Sequence, residues 1–374
     1  MPLSMADGAM ALDTLPNEIL THIFTALPTL DSVLALSATC SHLRRLYHGS
    51  QRLTILAAVV DRQYGPLHDM VQICTYNASQ PARLPRSVPL SDALLAQLLP
   101  IGRCAQQWEE LYPLKKWKND YASRRLLTPP ERRRLRRALY RLWHFTRAFH
   151  NRNHPRHARR LPAALAARTA LLQHLPTPAL AEMLDVHHIL RDVLANNVCP
   201  SNGKVRQKLQ KRYPEHPPGR SAGFAIHLNY PPPSTNWCDT ADWLNTSALI
   251  SSAKYTHHAR LQQTSRYHDA SLEGWGDDIN HYYVVEDMLK LDPRQILFLR
   301  DRCPLKSQVE LFIRAQVEGD GHGGTWFGNN GETFAETLWG VVRQRGGDVE
   351  AFKCAVQVGD MGIAVVHGGR PFGW

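Results

Sequence analysis

Residues 15–28 read Leu15-Pro16-Asn17-Glu18-Ile19-Leu20-Thr21-His22-Ile23-Phe24-Thr25-Ala26-Leu27-Pro28, an order that spells an amphipathic helix with both ends marked. Pro16 suits the opening of a helix, and Glu18 sits where the helix dipole favours an anion. Ile19, Leu20, Ile23, Phe24 and Leu27 then make a wide apolar stripe, and Pro28 stops it. Asp31 or Ser32 is placed to cap a second helix carrying Val33, Leu34 and Leu36. Ser37-Ala38-Thr39-Cys40 leads into a third helix with Leu43 and Leu46. Three short helices within residues 13–48 cannot bury all this apolar surface on one another, because units below about 40 residues need help from other surfaces. An exposed apolar face is predicted, and with it a protein partner.

Working outward, the chain has 374 residues, enough for two or three domains at roughly 150 residues each. With 43% hydrophobic and 21% charged residues the composition is globular. No apolar run approaches a membrane span, and residues 1–10 lack the charge and apolar core of a secretory signal. Seven scattered cysteines, an odd number, fit reduced thiols and a cytoplasmic or nuclear location. Secreted and membrane classes are therefore not expected.

The net charge of +11 is concentrated. Between Arg83 and Arg168 there are 20 Lys or Arg against 5 Asp or Glu, an excess of +15, so the remainder sums to −4. Helical periodicity dominates, without an internal repeat. A Pro- and Ser-rich linker, Ser79 to Pro89, is followed by consecutive amphipathic helices to about Tyr213. The clearest starts at Thr128, with Pro129 in its first turn and Glu131 set for a capping box. Its apolar positions Leu135, Leu139, Leu142, Trp143 and Phe149 follow the 3.6-residue period. Arg133, Arg137 and Arg141 recur on the other side as a candidate patch for an acidic partner. Three readings of Arg132 to Arg141 stand open: a solvated helix face, a nucleic-acid or nuclear-localisation patch, and a site for an acidic or phosphorylated peptide. Further helices are expected over Leu180 to Val198, Tyr283 to Leu291, after Asp292, and over Leu305 to Glu318 and Thr333 to Arg345. A short strand is expected at Phe224 to Tyr230, and a small hairpin at Val356 to Val366 around Gly359 and Gly362. The fold class is mainly α, with minor β near the C-terminus.

The N-terminal residues resemble a known family. Leu15-Pro16-x-Glu18-Ile19-Leu20-x-x-Ile23-Phe24-x-x-Leu27, then Leu34-Ala35-Leu36-Ser37-x-Thr39-Cys40, then Leu43-Arg44-x-Leu46 is similar to an F-box. The resemblance implies a three-helix domain that docks on the SKP-type adaptor, and through it a cullin, of a cullin-RING (SCF-type) ubiquitin ligase. The rest of the chain would present a protein substrate. It further implies an adaptor-facing edge made of Leu15, Pro16, Ile19, Leu20, Ile23 and Phe24, with Leu43 adding to it. Leu20 and Leu27 have a second reading, as residues holding the helices together. Around Ala138 to Trp143 and Tyr282 to Pro293 the chain is similar to the helical region that follows the F-box in many filamentous-fungal proteins. The expected organisation is an adaptor-binding domain at 11–57, a connecting helix and linker at 58–89, an irregular α-helical substrate-binding domain at 90–318, and a Gly-rich loop with a C-terminal helix and hairpin at 319–374. The other function class is a basic helical protein that binds nucleic acid through Arg132 to Arg141; without a helix-turn-helix, zinc-finger or RNA-binding signature it ranks second.

Three patterns imitate chemistry. Gly219-Arg220-Ser221-Ala222-Gly223 has the spacing of a nucleophile elbow but lacks a strand before the serine and a helix after it. Gly319-Asp320-Gly321-His322-Gly323-Gly324 has dinucleotide-loop spacing but follows a helix, where that site needs a strand. The pairs His187-His188 and His257-His258, and His154-x-x-His157, lack accompanying metal-ligand spacing. No catalytic, cofactor-binding or metal-binding residue is therefore expected.

Overall fold

The computed structural model describes residues 12, 15–151, 153–212, 274–276, 278–318 and 331–365. Within these, every regular element is helical: α1 Asn17–Ala26, α2 Leu30–Thr39, α3 Ser41–His48, α4 Arg52–Tyr64, α5 Leu67–Thr75, α6 Asp92–Lys116, α7 Pro129–Phe149, α8 Pro162–Gln173, α9 Thr177–Val193, α10 Asn202–Arg212, α11 Asp278–Met288, α12 Pro293–Arg302, α13 Lys306–Glu318, α14 Phe334–Gln344 and α15 Val349–Val358. A π-helical turn, Leu194–Val198, follows α9. The mainly α class is thus the observed one. None of the described helices is long and apolar enough to cross a membrane.

Two compact units divide the chain. One takes its residues from Met1–Thr75 and Arg86–Glu109, the other from Tyr76–Pro85 and Glu110–Trp374.

In the first unit, Thr29 and not Asp31 or Ser32 caps α2. Its hydroxyl accepts the Ser32 N–H at 3.1 Å, and Ser32 Oγ accepts the Thr29 N–H at 3.2 Å. The reciprocal box starts the helix three residues earlier than Ser32 alone would. Thr29→Ala is expected to cost about 1 kcal/mol of unit stability, measurable as a lower urea midpoint. The apolar surplus of the first three helices is resolved by α4, which packs against α1, α2 and α3. Ile55 and Val59 of α4 are fully buried. Gly102 allows α6 to approach α4, since a Cβ there would lie 2.5 Å from the Tyr64 ring. Gln72 closes the Pro-rich linker by pairing with the Arg86 backbone, donating to its C=O at 2.9 Å and accepting its N–H at 2.8 Å.

The second unit is organised around α9, whose residues from Ala179 to His187 are all buried. α7 packs along it, and α12 and α15 also meet it. α7 begins as its sequence predicts: Glu131 Oε2 accepts the Thr128 backbone N–H at 2.8 Å. A bidentate Arg125 fork, both contacts 2.6 Å, pulls the Glu131 carboxyl down to about 2 against the opposing effect of burial. Asp292 caps α12, as the chain pattern suggested, by accepting the Gln295 N–H at 2.8 Å.

Among the described residues, which reach 365, the expected hairpin at Val356 to Val366 is absent. Val349, Phe352, Ala355 and Val356 are buried at helical spacing, and Asp348 caps α15 by accepting the Glu350 N–H. Gly359 at φ 93 ends that helix, and the Asp360 and Met361 N–H groups turn back to Ala355 O. Short apolar runs carry both periods, and here the capped helix won. The strand expected at Phe224 to Tyr230 lies outside the described residues.

Beyond α15 the chain is held by a buried carboxylate. Asp185 of α9 accepts from Tyr112 Oη at 2.6 Å, Lys116 Nζ at 2.8 Å and the Ile363 N–H at 3.1 Å. Gly362, at φ 114, lies so close that a Cβ would sit 2.7 Å from Asp185 Oδ2. A second tie enters α14. His150 Nε2 accepts the Thr333 N–H at 3.2 Å, and Arg159 donates to the Glu332 C=O at 2.7 Å.

Candidate functional site

α1 presents two faces, and the structure sorts the predicted edge between them. Leu20 and Phe24, one turn apart, are 0% exposed. The Phe24 ring stacks on Tyr47 of α3 with centroids 6.2 Å apart. Leu43 of α3 is buried as well. These three residues, expected at the adaptor-facing edge, are core residues that join α1 to α3, because i and i+4 on one helix point the same way. Leu27 is half-buried, and its C=O accepts from Arg62 of α4 at 3.1 Å. The other four keep accessible surface: Pro16 and Ile19 are exposed, the latter by 46%, and Leu15 and Ile23 are half-buried.

Leu34, 53% exposed on α2, joins the accessible apolar set, with exposed Ala35 and Ala38 beside it in sequence. Sequence reasoning placed it with the apolar residues of that helix without singling it out. The signal was available. Val33 and Ser37 are the buried positions of α2, so Leu34 falls a third of a turn away, where a polar residue is usual. Charge is sparse along α1 and α2: Glu18 is the one charged side chain of α1 apart from His22, and Asp31 that of α2. Exposed Arg44 and Arg45 lie on α3. An exposed apolar surface with little charge can dock a protein partner by burial rather than by ion pairing.

The arginine row of α7 is sorted in the same way. Arg137 donates to both carboxylate oxygens of Glu182 at 2.9 and 2.8 Å. Burial raises the Glu182 carboxyl above its ordinary range, opposed by Arg137 and by the charges of Arg134 and Arg141. Glu182 is 5% exposed, so Arg137 already has an acidic partner within the chain. Arg133 is exposed and Arg141 half-buried. The three arginines expected to form one patch therefore do not act alike: the i, i+4 row turns toward α9 as it runs along the helix.

Of the motifs with misleading spacing, the Gly219 to Gly223 and Gly319 to Gly324 segments lie outside the described residues, as does His257-His258. His187 is buried with Nε2 3.6 Å from Glu332, and burial holds His188 down at about 4. His154 Nδ1 lies 3.2 Å from Asn151 Oδ1.

Residues 12–53 match the family model described as F-box-like. The chain carries an F-box-like domain. The matched span takes in α1, α2 and α3 and the first residues of α4. No curated protein and no solved structure matches the chain. F-box domains bind SKP-type adaptors in SCF complexes and are typically non-catalytic, which supports the general role of an F-box protein here.

Proposed function

We propose that this chain is a non-catalytic substrate receptor of an SCF-type ubiquitin ligase, of the fungal type in which a helical region follows the F-box. The observation that carries the reading is the F-box-like match at 12–53 on a unit whose α1 has a filled inner face and an exposed outer one. In this reading Leu15, Pro16, Ile19 and Ile23 meet the SKP-type adaptor, with Leu34 added from α2. Leu20, Phe24 and Leu43 act behind them by holding α1 on α3. The helical region of 90–318 holds the target. The mechanism is proximity: tethering raises the effective concentration of a target lysine beside the charged ubiquitin carrier. No residue of the chain performs bond chemistry, and the ligase places the protein in the cytoplasm, the nucleus or both.

The test is a pull-down of the full chain with the purified adaptor. Leu15→Asp combined with Ile19→Asp is expected to abolish capture while the circular dichroism spectrum stays that of the wild type, since both positions reach the surface. Capture at wild-type level would remove this edge from the interface. Phe24→Ala is a poor substitute, because it would lose binding by loosening the core.

A further inference from the structure

Leu126 and Tyr121 are the most exposed large apolar side chains among the described residues, at 87% and 73%. Isolated exposed leucines are ordinary; these two lie on a loop that is tightly held. Asp120 Oδ1 accepts the Ser123 N–H at 3.1 Å, and Arg124 donates to the Trp117 C=O at 3.2 Å. The Arg124 guanidinium stacks over the Tyr121 ring at 4.6 Å. Arg125 donates both to Glu131 and to the Leu126 C=O, the latter at 3.2 Å. One ion pair therefore ties the loop at Arg125 to Glu131 in the first turn of α7.

The charge of this segment is out of place for a purely structural role. Between Lys118 and Arg133 five Lys or Arg stand against two carboxylates. Lys118 pairs with Asp192 at 2.7 Å and Arg125 with Glu131, while Arg124 and Arg132 have no carboxylate partner among the described residues. Arg132 and Arg133 occupy the beginning of α7 and are exposed. Cations there oppose the helix dipole, which favours Asp or Glu in the first turn. A pre-ordered loop with two apolar anchors and a basic flank has the composition of a binding surface.

We propose that residues 118–133 are a docking surface for an acidic linear segment of a partner protein, with Leu126 and Tyr121 receiving its apolar side chains and Arg124 and Arg132 its carboxylates. The acidic-partner site expected at Arg133, Arg137 and Arg141 thus shifts to the start of α7, clear of Arg137 and its Glu182. A peptide fits this surface better than a nucleic acid, because a phosphate backbone has no use for the Leu126 methyl groups, whereas an apolar side chain beside Asp or Glu uses both features. The surface does not depend on adaptor docking, and its variants are expected to be captured by the adaptor like the wild type.

The experiment is selection of a phage-displayed random dodecapeptide library on the full chain, followed by anisotropy titrations of the selected peptides. They are expected to pair Asp or Glu with Leu, Ile, Phe or Trp. Leu126→Ser should weaken them about tenfold, as loss of an anchor residue does. Arg132→Glu should weaken them by at least a few-fold, with a shallower salt dependence, while suiting the helix start better than arginine does. Both positions are exposed, so neither variant is expected to disturb folding. Selected peptides that bind both variants as they bind the wild type would overturn the proposal, as would a selected set without acidic residues. It would equally fall if a single-stranded oligonucleotide displaced the peptides and bound Leu126→Ser undiminished, or if the loop proved to be covered by a second copy of the chain in sedimentation runs.

Discussion

Asp185→Ala is expected to lower the stability of the second unit by about 3–5 kcal/mol, the loss found when one partner of a buried ion pair is removed. Asp185 has 2% side-chain exposure and Lys116 12%, so the lysine left behind has little water to turn to. Tyr112 Oη and the Ile363 N–H lose their acceptor as well, and each unsatisfied buried donor adds to the loss. Asp185→Asn retains oxygen for one donor and should fall between the two. The check is urea unfolding of the full chain followed by tryptophan fluorescence, with the second transition analysed by itself because two units need not unfold together. A loss under about 1 kcal/mol would mean that Lys116 reaches solvent at small cost and that the C-terminal segment is held by packing alone.

The second large effect is acid sensitivity. Burial pushes His150 down to about 3 and His188 to about 4. Around His150 the charge of Glu332 favours the proton, and those of Lys290, Arg159 and Arg168 oppose it. Around His188 the neighbours His187, Lys116 and Arg191 all oppose it. A histidine whose folded value is depressed stays neutral while its unfolded counterpart protonates near pH 6.5, so stability is complete above that pH and falls as the pH drops. From pH 7 to 5 the fully buried limit is about 2 kcal/mol for each ring. Both rings are only half-buried, which reduces the expectation to roughly 1–2 kcal/mol each. His150→Gln can still accept the Thr333 N–H without titrating, so its unfolding midpoints should show a flatter pH slope than the wild type's. Equal slopes would mean that His150 takes up its proton inside the fold.

The N-terminal helices were legible because short-range rules agreed there. The Pro16 start, the apolar stripe and the Pro28 stop all point to one helix, and the structure has it at Asn17–Ala26. α7 was legible for the same reason, with Thr128, Pro129 and Glu131 spelling out its beginning. The hairpin expected at Val356 to Val366 is absent because Val356 to Val358 close the helix that Asp348 caps and Gly359 ends. A weak alternation over so few residues does not separate a period of 2 from the end of a helix.

Periodicity by itself determined that the described residues are mainly helical and that α1 has an apolar stripe. The F-box-like arrangement entered through the resemblance of Leu15 to Leu46 to that family, and the match at 12–53 supports it. Which members of the stripe stay accessible was a tertiary decision. α3 and α4 cover Leu20 and Phe24 and leave Ile19, and the same packing leaves Leu34 outside on α2. A helix pattern names an apolar arc but not the neighbour that will cover each part of it. The arginines of α7 divide on the same ground. Their spacing is written in the chain, but Glu182 lies 45 residues from Arg137, and only the packing of α9 against α7 gives that arginine a carboxylate within the chain while Arg132 stays at the helix start. Charge along a sequence is a local property; which charges are already matched is settled by segments that meet only in the folded chain.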